Sequence, residues 1–361
     1  MLTAEKGLIS RPGPPAQIVS MLARFAGGLL PADSCGYHGP NPRHGQCANW
    51  PPAGPAGTNG GVEMRALVLS GGGSRGAFQA GVLDVLRERG ERFDAVYGTS
   101  IGALNAALAA TDPTLELLAR AWRDDLNEDL FPKPGLLKTV RWLFNRPGVE
   151  AISDNRLVKE LARRKRLIDP ERLRTGEVRF ACFATDATTL EPVRIDRDLL
   201  RLVDDATALD LVFASTLLAG IFAPYEWTDP RDGRRRVLFD GGYSGKVLPF
   251  ADALADGADD LTVVTAESPG LYDWDRPGGR RPRTRAEWQD LANEALMFQQ
   301  ARDALSAALV ARQDLRARVF APRRGVPGKI TPLEVLDFRR ASVQAWMDHG
   351  AEIAREVVAA T

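Results

Sequence analysis

Apolar positions begin to organise the chain at Met64. Arg65-Ala66-Leu67-Val68-Leu69 is a short apolar run ending in a glycine cluster, the mark of a buried strand. From Gly76 to Arg89, Phe78, Val82, Leu83 and Leu86 recur at helical spacing. Phe93 to Tyr97 reads as a second strand and Ile101 to Ala110 as an Ala-rich buried helix. Pro113 to Arg166 reads as helical, with breaks at Pro132, Pro134 and Pro147. Val178 to Ala184 returns to strand, and Leu211 to Leu218 reads as helix. Tyr225 to Trp227 and Arg236 to Phe239 pair as a hairpin around Asp229-Pro230-Arg231-Asp232-Gly233. Leu261 to Thr265 is a further buried strand, and residues 284–315 and 331–360 read as helices. Strand–helix alternation of this kind predicts an α/β fold, a mostly parallel sheet with helices on both faces. No internal repeat is visible.

Residues 1–63 have a different texture. They are rich in Gly and Pro, as in Arg11-Pro12-Gly13-Pro14-Pro15 and Pro51-Pro52-Ala53-Gly54-Pro55, and are expected to form a poorly ordered leader. Met64 directly precedes the first strand and is a second candidate for the initiator. The expected organisation is this leader, a catalytic α/β domain over 64–275, and a helical C-terminal segment over 276–361 packed on it.

Composition narrows the function classes. The 361 residues are 44% hydrophobic and carry a formal net charge of zero. That balance does not point to nucleic acid or to strong attraction by an anionic membrane. No run approaches 18 apolar residues, so no spanning helix is expected. Arg24 interrupts the best N-terminal apolar stretch, Ile18 to Leu30, which argues against a secretory signal. Three cysteines, Cys35, Cys47 and Cys182, make no disulfide framework and fit a reducing, cytoplasmic setting.

Two glycine motifs carry candidate chemistry. Gly71-Gly72-Gly73-Ser74-Arg75-Gly76 follows a strand and opens a helix. Consecutive glycines let the backbone aim several N–H groups at one point, beside the positive end of a helix. Such a loop suits an oxyanion, and equally a pyrophosphate, since the letters also satisfy G-x-G-x-x-G. Gly98-Thr99-Ser100-Ile101-Gly102 is G-x-S-x-G in the strand–turn–helix setting of a nucleophile elbow. A dinucleotide site wants an acid at the end of the second strand. Asp94 lies at its beginning instead, so the elbow is the favoured reading and a dinucleotide-binding protein the alternative from another class.

A serine nucleophile needs a base. The histidines are His38, His44 and His349; two lie in the leader and one in the last helix. A Ser-His-Asp triad is therefore not expected. Asp240-Gly241-Gly242 closes the strand Val237-Leu238-Phe239, and a carboxylate at a strand end beside the strand end bearing Ser100 could accept its proton.

With these three motifs in this order, residues 64–270 resemble the patatin-like phospholipases, lipid acyl hydrolases with a Ser–Asp dyad. The matching stretches are Leu69-Ser70-Gly71-Gly72-Gly73-Ser74-Arg75-Gly76, Gly98-Thr99-Ser100-Ile101-Gly102-Ala103-Leu104-Asn105-Ala106 and Asp240-Gly241-Gly242. The resemblance implies a three-layer α/β sandwich and an oxyanion hole in the glycine loop. It also implies acylation of Ser100, with Asp240 activating first Ser100 and then water. A fatty-acyl ester, phospholipid before neutral lipid, is the implied substrate. Peripheral membrane contact is compatible with it, and no cofactor or metal is implied. Acyl transfer or thioester hydrolysis on the same dyad is the alternative within enzymes. Two stretches depart from the family. Ala219-Gly220-Ile221-Phe222-Ala223-Pro224 lacks two of the usual prolines, and Ser244-Gly245-Lys246-Val247-Leu248-Pro249 lacks the usual Asn pair.

Other features have plainer readings. Lys133 to Phe144 reads as a core-packed helix, with a lid or membrane-contacting helix as the alternative. Arg163-Arg164-Lys165-Arg166 and Arg234-Arg235-Arg236 read as solvated faces. Cys35, His38, His44 and Cys47 could form a zinc quartet, but the spacer is short and no core surrounds it. Cys182 reads as inert core.

Overall fold

The computed structural model describes residues 64–126, 128, 151, 155–266, 284–312, 314–323 and 337–359. The leader, the stretch Lys133 to Phe144 and the Cys/His quartet lie outside the described residues.

Among the described residues, eight strands form one sheet. In chain order they are β1 (Arg65–Leu69), β2 (Ala95–Thr99), β3 (Arg179–Asp186), β4 (Pro192–Asp196), β5 (Tyr225–Thr228), β6 (Arg235–Asp240), β7 (Asp260–Val264) and β8 (Arg316–Phe320). The order across the sheet is β5-β6-β3-β2-β1-β7-β8, with β4 pairing β3 off that path. The strands from β3 to β8 run parallel through β2, β1 and β7. Strands β4, β5 and β6 add antiparallel pairings on the β3 side. The hairpin lies where its turn residues put it, with Tyr225 opposite Leu238.

Side-chain alternation divides the core between the two faces. Leu67 and Leu69 of β1 face one cluster, and Ala66 and Val68 the other. The first cluster is covered by α1 (Gly76–Glu88), α2 (Ile101–Thr111), α7 (Asp205–Ala214) and α10 (Arg340–Ala359). The second is covered by α8 (Phe250–Ala255) and by Leu305 and Leu309 of α9 (Arg285–Ala311). The remaining helices, α3 (Glu116–Arg120), α4 (Arg156–Arg164), α5 (Pro170–Thr175) and α6 (Arg197–Leu200), complete the first face and its rim. The result is a three-layer α/β sandwich. Helix α10 crosses α1 at two glycines: a Cβ on Gly81 would lie 2.0 Å from the Met347 carbonyl oxygen, and one on Gly350 2.1 Å from that of Phe78. Only residues without a Cβ allow the backbones this close.

Several boundaries differ from the sequence reading. Strand β2 starts two residues later than Phe93 and runs through Gly98 to Thr99, so the elbow begins inside the strand. Helix α7 precedes Ser215 instead of extending to Leu218. Two strands escaped the periodicity. Strand β4 opens on a proline and is half-exposed, while β8 alternates arginines with small apolar residues at the sheet edge. The helical C-terminal segment thus also contributes a strand, laid parallel to β7.

Candidate active site

Strands β1 and β2 are parallel neighbours, so the loops that leave their carboxyl ends emerge side by side. The elbow follows from steric exclusion. Ser100 has φ 56 and ψ −128, a conformation that costs a non-glycine residue about 1–3 kcal/mol. A Cβ on Gly98 would stand 2.1 Å from the Gly102 carbonyl oxygen, and one on Gly102 would stand 2.5 Å from those of Leu69 and Ser70. Both positions therefore require glycine, and the turn they permit places Ser100 at the head of α2. Ser100 is 7% exposed.

Asp240 reaches the same level from the other direction. Thr99 pairs with Phe183, and Ala184 pairs with Asp240. Strand β3 therefore lies between the strands bearing Ser100 and Asp240, which corrects the expectation of adjacent strand ends. Because β6 is antiparallel to β3, it enters over the carboxyl edge and stops at Asp240, its deepest residue. Gly241 follows there because a Cβ would meet the Phe183 carbonyl oxygen at 2.0 Å.

The Asp240 carboxyl is 3% exposed, and burial raises it from 3.8 to about 6. The Ser100 hydroxyl and the Gly242 amide pull it down without offsetting burial. Oδ1 accepts the Gly242 N–H at 2.8 Å. Oδ2 is buried and closes no hydrogen bond among the described residues. Ser100 thus stands near enough to pull the carboxyl down without closing a well-formed hydrogen bond to it, as acid–base pairs often do before substrate tightens them.

The glycine loop divides by amide accounting. The Gly71 N–H donates to the Val247 carbonyl at 3.1 Å, and the Arg75 N–H to that of Gly72 at 3.2 Å. The Gly76 N–H turns back onto Gly73 and Ser74. Gly72 (φ 144) and Gly73 (φ 57) hold positive-φ conformations. Among the described residues their amides meet no protein acceptor. Gly71 packs against the elbow serine, where a Cβ would lie 3.3 Å from Ser100 Cβ. Ser74 and Arg75 are buried in the short 3-10 turn that joins the loop to α1.

Below the loop runs a buried hydrogen-bond chain with no motif of its own. Trp122 Nε1 donates to Asn105 Oδ1 at 2.7 Å, Asn105 Nδ2 to Gln79 Oε1 at 2.8 Å, and Gln79 Nε2 to the Ser70 carbonyl at 2.8 Å. It ties the helix behind Ser100 to the start of the glycine loop. Ser215 is a second unforeseen participant, its Oγ accepting the Ser100 N–H at 2.9 Å. A serine just after a helix carries no sequence signal for such a role.

The other candidates lie elsewhere. His349 is buried in α10, where Nε2 accepts the Arg323 N–H at 3.1 Å and the ring contacts Phe78. Asp94 accepts the Arg65 N–H at the opposite ends of the strands. Arg236 pairs with Asp186, Asp229 and Asp232. Arg163 and Arg164 reach Glu160 from exposed positions. Cys182 is fully buried, and burial pushes its thiol well up.

Fold and site together define an α/β protein that carries an elbow serine opposite a buried carboxylate. The chain belongs to the patatin-like phospholipase family, whose model matches residues 67–254. It is 29% identical over 206 residues to patatin-like phospholipase domain-containing protein 7 of Rattus norvegicus, covering 56% of this chain and 14% of that one. It is 31% identical over 206 residues to patatin-like phospholipase domain-containing protein 6 of Homo sapiens, covering 56% and 13%. A 46-residue stretch is 56% identical to lysophospholipase nte1 of Aspergillus terreus, covering 13% and 3%. The chain thus matches only a small part of these relatives' length. No helix of the described residues is long and apolar enough to cross a membrane.

Proposed function

We propose that the protein is a serine acyl hydrolase of fatty-acyl esters, with Ser100 as nucleophile and Asp240 as general base. Asp240 takes the Ser100 hydroxyl proton as Oγ attacks the ester carbonyl carbon. The Gly72 and Gly73 amides stabilise the negative charge that develops on the carbonyl oxygen. Collapse breaks the ester C–O bond, and the departing alcohol takes the proton from Asp240. Asp240 then deprotonates a water that attacks the acyl-Ser100 carbonyl. The fatty acid leaves, and the proton returns to Ser100. Relatives named as phospholipases and a lysophospholipase support a phospholipid or lysophospholipid substrate.

The observation that carries this reading is the buried Asp240 carboxyl, raised to about 6 and facing an elbow serine. A base tuned near neutrality is mostly ionised at pH 7 yet basic enough to take a proton in the transition state. A fluorophosphonate probe followed by peptide mass spectrometry tests it together with hydrolysis of a panel of phospholipids, lysophospholipids and neutral esters. A single adduct on Ser100 and released fatty acid are expected. Absence of both, in folded protein, would refute it.

A further inference from the structure

The segment just after α7 touches both halves of the dyad. Ser215 Oγ accepts the Ser100 N–H at 2.9 Å and donates to the Phe183 carbonyl at 2.5 Å. The Ser215 carbonyl accepts the Gly241 N–H at 3.4 Å, and that of Leu217 accepts the Asp240 N–H at 3.0 Å. From the far side, Thr185 Oγ1 donates to the Asp240 carbonyl at 2.8 Å. Three residues of backbone thus bridge the elbow on β2 and the turn after β6 across the intervening β3.

This bracket is buried and anchored in the core. Ser215 is fully buried, and α7 before it is anchored by Leu211, Val212, Phe213 and Ala214 in the core. A hydroxyl is the fitting group at this position, since it accepts from one backbone group and donates to another at once. Without it, the Ser100 N–H would be buried with no acceptor, in a residue already held at positive φ. Relaxation of that strain would rotate the elbow and move the Ser100 hydroxyl away from Asp240.

We infer that Ser215 is a positioning residue for the hydrolysis, fixing where Ser100 stands relative to Asp240. This rests on the dyad reading above. The residue touches no substrate; it acts through the Ser100 backbone and through the turn that carries Asp240.

The test compares wild type with Ser215→Ala, Ser215→Cys and Ser215→Thr. It reads fluorophosphonate inactivation (kinact and KI), ester hydrolysis (kcat and KM) and melting temperature. Ser215→Ala should lower kinact and kcat by about 10- to 100-fold, the worth of one buried hydrogen bond left unmade, with KI and KM within about threefold. Ser215→Cys fills the same space with a weak acceptor and should show the same loss, which guards against misfolding of the alanine variant. Ser215→Thr keeps the hydroxyl and should recover most of the rate. The acid limb of the rate should also move to higher pH in the alanine variant, because the Ser100 hydroxyl no longer helps hold the Asp240 carboxylate ionised. A merely structural residue would leave that limb in place. Ser215→Ala or Ser215→Cys within twofold of wild type in kinact overturns the proposal, as does a rise in KM at constant kcat. Failure of the wild type itself to form a Ser100 adduct overturns the dyad reading, and is told apart because it appears before any variant is compared.

Discussion

Replacing Asp240 by asparagine should abolish turnover and stabilise the protein above pH 6. The folded chain holds this carboxyl near 6, against an ordinary 3.8. Below about pH 4 it is protonated in both folded and unfolded chains and has no differential effect. As pH rises past 4, the unfolded chain ionises first, so stability falls until the folded form also ionises near 6. The cost is constant thereafter. At about 1.4 kcal/mol per pH unit, the gap corresponds to about 3 kcal/mol at pH 8. Asparagine is neutral at every pH and can still accept the Gly242 N–H. Its Nδ2 takes the place of an Oδ2 that closes no hydrogen bond, which offsets about 1–2 kcal/mol of the gain. Ser100 Oγ is a potential acceptor for it. A net gain of about 1–2 kcal/mol should raise the melting point by about 2–4 °C per kcal/mol. Differential scanning fluorimetry of both proteins from pH 4 to 8 measures this. The offset from Nδ2 does not depend on pH, so the diagnostic quantity is the slope of the difference. A wild-type–variant gap that stays flat across this range, whatever its sign, refutes the burial argument.

The remaining predictions concern the same site. The rate of ester hydrolysis should rise with pH to a plateau, with an apparent midpoint near 6; a profile flat from pH 5 to 8 would remove Asp240 from the proton transfer. Ser100→Gly should lose activity yet keep or raise the melting temperature, because relief of about 1–3 kcal/mol of backbone strain exceeds the about 0.5–1 kcal/mol entropic cost of glycine. Gly73→Ala should reduce kcat by up to about 100- to 1000-fold, because alanine disfavours the φ of 57 held there and its amide would turn away from the oxyanion, with KM little changed; a pure KM effect would assign the loop to binding alone. His349→Ala should lower stability through its buried contacts while leaving Ser100 labelling intact; a folded but unlabelled variant would contradict a histidine-free dyad.

Much of the site was legible because its residues are imposed by close contact. Gly98, Gly102 and Gly241 each face a backbone oxygen at 2.0–2.5 Å from where a Cβ would sit, so no other residue type fits. A constraint of that kind leaves a readable letter in the sequence. Ser100 and Asp240 could be picked out only through the glycines that flank them. The mutual placement was not. It depends on the register of β3 against both β2 and β6, which no local pattern encodes. Ser215 and the chain from Trp122 to Gln79 were hidden because a buried polar residue is locally indistinguishable from one in solvent. Within the glycine loop, the sequence could not separate amides that stabilise the loop itself, such as Gly71, from those left open, such as Gly73. Strand β8 was missed because Arg316, Arg318 and the half-buried residues between them suit an edge and blur the alternation.

The placement of β7 and β8 has a consequence for how the chain is made. Residue Arg65 of the first strand pairs with Asp260, and α1 is gripped by α10 near the C-terminus. During synthesis, β1 therefore presents one open edge until the ribosome has passed residue 264, and the glycine contacts of α1 stay open until α10 emerges. Strand β1, which leads into the glycine loop, cannot be sealed early, since its partner β7 is translated almost 200 residues later. Non-local pairing of this type makes folding slow and leaves an apolar edge available to other nascent chains. The family match stops at residue 254, before β7 begins. A fragment cut there would keep every candidate catalytic residue and yet leave β1, next to the glycine loop, as an exposed sheet edge prone to aggregation.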